Sequence, residues 1–291
     1  PEEVTWLEIM GGAVTEADIA YIKAGLVNLQ TLEAYYLVDF NGGVLPDDAF
    51  AGHASLRAVD LPSVTTTGDY TFYQCSALTT IRLNNVRSMG SEAFNQCTSL
   101  NTVVMPSLES VNAMDFARCS ALTTIYLPKA QNLGIAAFFG DQVLARAWFP
   151  ELDYISATTF ALCLSIGDMY LESDSCEASG YQPGSMVSTF GSVFPGRTVH
   201  VPDNKVTDYE QYSEINEEYT TDFENWYDWN VGAFSEASGL PAFVDDLIGQ
   251  LPETDRITYG DVPQVESVLA AYDKLTDDQK ENVSSTVYAR L

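Results

Sequence analysis

The chain has 291 residues and carries 41 acidic against 13 basic side chains, a formal net charge of −28. That excess argues against nucleic acid and anionic membrane as partners, because both would repel it. No run approaches the about 18 consecutive apolar residues that suggest a membrane span, so no membrane insertion is expected, and 46 % hydrophobic content suffices for the cores of one or two domains.

The first residues, "PEEVTW", show no signal-peptide pattern and read as a trimmed or mature start. From Phe50 onward one pattern recurs every 22 residues. Phe50, Phe72, Phe94, Phe116, Phe138 and Phe160 form its first column, and Leu56, Leu78, Leu100, Leu122, Leu144 and Ile166 follow six positions later. A third column runs Val59, Ile81, Val103, Ile125, Ala147 and Met169. A fourth, two residues on, runs Leu61, Leu83, Met105, Leu127, Phe149 and Leu171, usually before proline. One unit buries too few side chains to offset the entropy of ordering 22 backbones, so the units must stack into a solenoid with a shared core.

Each unit contains L-x-x-I-x-L, the signature of a short strand, and stacked strands would form a parallel sheet on a concave wall. The remainder, such as "SMGSEAFNQC" (Ser88 to Cys97), returns along the convex side. Gly68, Gly90 and Gly134, with Asn112 and Ser156 in the same slot, are expected to supply a left-handed turn there. A helical or 3₁₀ turn carrying the column phenylalanine is expected to follow. After Leu171 the phase breaks. It returns where Phe190 precedes Val199 as Phe72 precedes Ile81, which places an eight-residue insertion within "ESDSCEASGYQPG" (Glu172 to Gly184).

Residues 203–236 hold ten acids and one lysine, and "SEASG" (Ser235 to Gly239), before the helical segment, reads as a short linker. Helical spacing then appears in "LPAFVDDLIGQLP" at Phe243, Leu247 and Leu251. It recurs in "VPQVESVLAAYDKL" at Val265, Val268, Leu269, Tyr272 and Leu275. "TDDQ" (Thr276 to Gln279) is a capping box opening a third helix. The expected fold is thus an α/β solenoid over 1–236, with 22-residue repeats, a parallel concave sheet and an acidic capping segment. A small helical module, with truncation at its end left open, follows over 240–291.

The string A-F-x-x-C-x-x-L-x-x-I-x-L-P resembles the BspA-like leucine-rich repeats of bacterial surface proteins, closely over 50–172. "VTWLEI" (Val4 to Ile9) and "LQTLEA" (Leu29 to Ala34) resemble the opening strands of such arrays. "RTVHVPDNKVTDYEQY" is similar to the family's closing strand and capping helix, although glutamates follow where the family often has lysines. "AAYDKLTDDQKENV" resembles a small three-helix module found between domains of large Gram-positive surface proteins. The resemblance implies a secreted or cell-surface protein of a bacterium.

Cys75, Cys97, Cys119 and Cys163 share one repeat phase. Side chains in register on stacked turns point in parallel and stay too far apart to pair, so buried thiols are expected, with a Cys163–Cys176 bridge as the alternative. No C-x-x-C pair, calcium loop, G-x-S-x-G, H-E-x-x-H or P-loop occurs. His53, in the cysteine column, and His200 are the two histidines. The sequence therefore reads as a non-enzyme with no metal, cofactor or catalytic residue.

Alternation along each strand sends one row of side chains out of the concave wall: Glu8, Glu33, Asp60, Arg82, Val104, Tyr126, Trp148, Tyr170 and His200, with Trp6 one alternation earlier. The row beside it holds Ala58, Thr80, Thr102, Thr124, Arg146 and Asp168. Tyr126, Trp148 and Tyr170 are expected to form a solvent-facing ladder flanked by Arg82, Arg146 and His200. Its partner would be a protein or glycan of a host or neighbouring cell, held by a monomer. Truncating Trp148 is expected to cost binding and spare the fold. A structural spacer within a larger surface protein is the alternative, and a carbohydrate-active enzyme a distant third.

Overall fold

A computed structural model describes residues 3–35, 38–173, 176–178, 197–213, 230–254, 256–284 and 289. The chain is a right-through solenoid of parallel strands, about seven turns at ~22-residue spacing, followed by a few helices. The concave strands are β1 (Trp6–Ile9), β2 (Thr31–Ala34), β3 (Ala58–Asp60), β4 (Thr80–Arg82) and β5 (Thr102–Val104). They continue as β6 (Thr124–Tyr126), β7 (Arg146–Phe149), β8 (Asp168–Leu171), β9 (Thr198–Val201) and β10 (Asn230–Ala233). β1 to β4 form one sheet and β5 to β10 another, each in chain order. Register follows the repeat: Val59 faces Ile81, and Tyr126 faces Trp148, which faces Tyr170 and then His200. α1 (Glu16–Gly25), capped by a reciprocal Thr15–Asp18 box, closes the first turn, and α2 (Val206–Ser213) follows β9. The Glu172–Gly184 insertion and Phe190 lie largely outside the described residues.

The four columns fill the interior. The phenylalanine rings stack with centroids 5.0 to 5.5 Å apart and nearly parallel planes. This spacing is the strand separation read out on the opposite side of the turn. The column cysteines Cys75, Cys97, Cys119 and Cys163 are free. The four column thiols each donate to the carbonyl of the phenylalanine 25 residues earlier, as Cys97 Sγ does to Phe72 O at 3.2 Å. Burial pushes the Cys75 thiol up to about 12, so this column is inert. His53 uses its place to hold Leu26 O at 3.1 Å.

On the convex side each column phenylalanine lies inside a single i→i+3 hydrogen-bonded turn and not in a helix, as Tyr73 N to Tyr70 O at 3.0 Å around Phe72. The phenylalanine amides themselves reach across to the next turn, as Phe72 N to Ala93 O at 2.7 Å and Phe94 N to Asp115 O at 2.8 Å. A backbone satisfied between turns has no need of intrahelical bonds. The left-handed positions expected at the glycines are elsewhere. Tyr70, Glu92, Met114, Ala136 and Thr158, two positions later, are left-handed with φ between 55° and 58°, and so are Gln74, Gln96, Arg118 and Leu162 four positions further on. Gly90 is required for a different reason: a Cβ there would lie 2.3 Å from Asp69 N and Gly68 C. At Gly90 successive turns touch, whereas the same slot takes a side chain at Asn112 and Ser156.

Candidate functional site: the concave wall and its cover

Strand alternation turns Tyr126, Trp148 and Tyr170 out of the solenoid core, as the sequence predicts. They do not reach solvent. Their exposures are 2 %, 0 % and 0 %, and they belong to a second apolar cluster together with Phe234, Leu240, Phe243, Val244 and Leu247. The expected solvent-facing ladder is therefore the floor of an internal interface, covered by α3 (Leu240–Gly249) and α4 (Val262–Asp273). The indole of Trp148 meets Tyr126, Tyr170, Phe234 and Phe243 at centroid distances of 5.3, 5.7, 5.9 and 5.6 Å.

Two features place the cover. Phe234 follows β10 directly, so the chain turns over the wall at the end of the last strand. α3 then presents two apolar stripes, Leu240, Val244 and Ile248 beside Phe243 and Leu247, all 0 % exposed. A helix apolar on so much of its circumference must be sandwiched, here between the wall and α4. Pro241 and Pro263 sit in the first turns of the two helices, where a missing N–H costs nothing. α5 (Asp277–Lys280) begins at the Thr276–Gln279 capping box read from "TDDQ", and Gln279 Nε2 ties it to Phe234 O at 2.8 Å.

Polar contacts run along the same interface. Arg146 pairs with Asp246 and lies 5.9 Å from the Phe243 ring. Tyr126 Oη donates to Ser267 O at 3.1 Å, and burial pushes its phenol pKa up, keeping it a donor. Asn84 Nδ2 reaches Asp261 Oδ1 at 3.3 Å, while Asp261 Oδ2 accepts from Thr258 N at 2.8 Å. At the two ends, Arg256 pairs with Glu33 at 3.2 Å and Lys274 with Glu172. The cover thus grips the wall from β2 to β8.

The other candidate residues are also engaged. Arg82 pairs with Asp60 at 3.5 Å, and burial, opposed by Arg82, pushes the Asp60 carboxyl up to about 6. His200 Nε2 lies 2.8 Å from Asp168 Oδ1, and its ring stacks on Tyr170 at 4.9 Å. Trp148 Nε1 and Tyr170 Oη are buried without a hydrogen-bond partner. Beside the cover a cleft of about 660 Å³ remains between α4 and the loops bearing Pro106, Pro128 and Pro150. Among the described residues no group of three His, Cys, Asp or Glu is placed to hold a metal ion, and no helix is long and apolar enough to cross a membrane.

The composition of this interface was half legible in advance. The wall's contribution followed from strand alternation, but Phe234, Leu240, Phe243 and Asp246 were missed as its partners. The available signal was the double apolar stripe of "LPAFVDDLIGQL", too apolar for a helix with a single neighbour.

Three solved structures are similar in fold. A leucine-rich repeat protein of T. pallidum is 25 % identical, with TM-score 0.45, over 48 % of this chain and 68 % of that one. One from Bacteroides ovatus is 18 % identical, TM-score 0.48, over 80 % of this chain and 55 % of that one. A leucine rich cell surface protein of Faecalibacterium prausnitzii is 21 % identical, TM-score 0.49, over 70 % and 60 % respectively. The chain therefore spans less than two thirds of the latter two. Among curated proteins there is no significant match. The family model for the BspA type leucine rich repeat region matches six copies across residues 43–167. Over those residues, fewer than half of the chain, this protein is similar to the BspA-type leucine-rich repeats.

Proposed function

We propose that this chain is a rigid structural arm of a bacterial surface protein, a non-enzyme in which the repeat array and the helical module are locked into one body. The observation that carries this reading is the burial of Tyr126, Trp148 and Tyr170 beneath Phe234, Leu240 and Phe243. An aromatic ladder spent on an internal contact stiffens the join between the solenoid and the helical module. The surface location rests on the repeat type, and the strongly acidic surface suits a soluble, non-sticking spacer.

A second reading has its own support. Trp148 Nε1 and Tyr170 Oη stay unpaired under the cover, and a ligand bearing hydroxyls or carboxylates would satisfy them. In that reading the wall, once the module lifts, holds a protein or glycan of a host or neighbouring cell. Locking the cover separates the two. Thr124 Oγ1 lies 3.4 Å from Asp246 Oδ2, so Thr124→Cys with Asp246→Cys should allow a disulfide across the interface. Glycan and host-protein arrays are then probed with oxidised and reduced protein. The arm reading expects identical profiles; a hit lost on oxidation and regained on reduction establishes recognition by the wall and overturns it.

A further inference from the structure

One stretch of the convex surface differs from its neighbours along the array. It carries Tyr70, Tyr73 and Gln74 on the turn of Phe72, and Glu92, Asn95 and Gln96 on the next. The same slots elsewhere hold Asp48, Ala51 and Gly52, or Ala136, Phe139 and Gly140, so the repeat itself does not require them. Gln74 and Gln96 stand at φ of 58° and 64°. Side chains are disfavoured there, and glycine, as at Gly52 and Gly140, takes the slot without strain.

These side chains hold one another in place. Tyr70 Oη donates to Glu92 Oε1 at 3.3 Å, and Asn95 Nδ2 donates to Glu92 Oε2 at 2.9 Å. Tyr73 Oη accepts from Gln74 Nε2 at 3.3 Å and from Gln96 Nε2 at 3.1 Å, while Gln74 Nε2 also reaches Gln96 Oε1 at 3.3 Å. The two tyrosine rings meet edge to face, with centroids 5.7 Å and planes 89° apart. Among the described residues the network leaves unspent the Tyr73 O–H, one N–H of Gln96 and the Gln74 oxygen Oε1. Tyr70 and Gln74 are exposed, and Tyr73 and Gln96 are half-buried. One turn earlier the neighbours are Ala51 and Gly52, where an added Cβ would meet no atom within 4 Å. The step down leaves an open shelf beside the tyrosines.

We propose that this convex corner binds a neutral sugar ring. The C–H-rich face of the sugar packs on a tyrosine, and its hydroxyls meet the unspent donors and acceptor. A hydroxyl both donates and accepts, so it suits all of them. A carboxylate has no use for Gln74 Oε1, and an ammonium none for the Tyr73 and Gln96 donors. Charge points the same way. Asp48, Asp69 and Glu92 lie near Tyr70 and repel an anion. Lys23, directed at Asp48 O, and Arg118, in the Gln96 slot one turn on, oppose a cation. An open shelf covers only part of a sugar, so one ring should bind with a Kd of about 1 mM. The site uses neither the concave wall nor the cover, so it stands or falls apart from both readings above.

The test uses the whole chain, isotope-labelled for NMR, with methyl β-glucoside, methyl β-galactoside, methyl α-mannoside and N-acetylglucosamine as probes. Each is titrated to about 100 mM, far above the expected Kd. The expected result is saturable shifts of the Gln74 and Gln96 side-chain amides with at least one sugar, unchanged by added salt. Gln74→Gly should weaken that binding at least about fivefold, and Tyr73→Phe, which keeps the ring, at least about twofold. Gln74→Gly relieves a left-handed side chain, so its melting temperature should match or exceed the parent's. The absence of saturable shifts with every probe overturns the proposal. So do shifts confined to other residues, or binding that survives both substitutions. Tighter binding of trilysine than of any sugar, lost in added salt, would make the corner a cation site and overturn it as well.

Discussion

Trp148→Ala is the most informative single change, because the wall's burial reverses what strand alternation alone would suggest. Truncating a fully buried aromatic side chain costs about 3–5 kcal/mol. The indole here has four aromatic neighbours between 5.3 and 5.9 Å, which places it at the upper end. Against this, removing an indole N–H buried without a partner recovers part of its desolvation penalty, about 1–3 kcal/mol. The net loss should be about 2–4 kcal/mol. It should fall on the helical module, since Trp148 belongs to the cluster shared with α3 and not to the solenoid's own core. Denaturant titration followed by near-ultraviolet circular dichroism should show the module melting before the repeats. Limited proteolysis should find a new cut near Ser235–Gly239. Trp148→Phe, which keeps most of the packing and removes the orphan N–H, should stay within about 1 kcal/mol of the parent. A Trp148→Ala protein that loses less than about 1 kcal/mol and keeps its α3 amides protected would refute the packing argument.

Other outcomes follow from single positions. Asp141 occupies the cysteine column, fully buried, with neither oxygen hydrogen-bonded, and burial raises its pKa well above the carboxylate range. A folded pKa above the unfolded value gives stability that is fully present below the unfolded pKa and lost as pH rises. Asp60 and Asp115, pushed up to about 6 and about 7, act with the same sign. Asp141→Cys should therefore stabilise the protein above about pH 4, increasingly toward neutrality, in urea titrations at stepped pH. A gain larger at pH 4 than at pH 7 would contradict this. Gly90→Ala must push the previous turn's backbone and should cost about 1–3 kcal/mol or more. Gly52→Ala meets no atom within 4 Å but holds φ at +75°, so its cost of about 1 kcal/mol comes from conformation alone. Thermal melts of the two variants that showed no loss would argue against the close approach at Gly90 and the left-handed conformation at Gly52.

The sequence by itself determined the solenoid, because the repeat writes the same local problem six times. Phe50 through Phe160, the leucine column and the alternating strand residues must face inward at each turn, or no unit has a core. Register followed as well: residues 22 apart meet on neighbouring strands, which puts Tyr126, Trp148 and Tyr170 in one row. The convex side was less legible. Its hydrogen bonds run between turns, and a rule about isolated turns assigns glycine to a left-handed position where close approach is the real demand, as at Gly90. Tertiary structure alone decided what the ladder faces. Periodicity reports which side of a strand a residue occupies, and the wall is outside the repeat core either way. Whether that outside is water or the apolar face of α3 depends on a contact between segments about 100 residues apart, such as Arg146 and Asp246. No local pattern encodes such a pairing, because the wall and the helix each satisfy their own periodicity whether or not they meet.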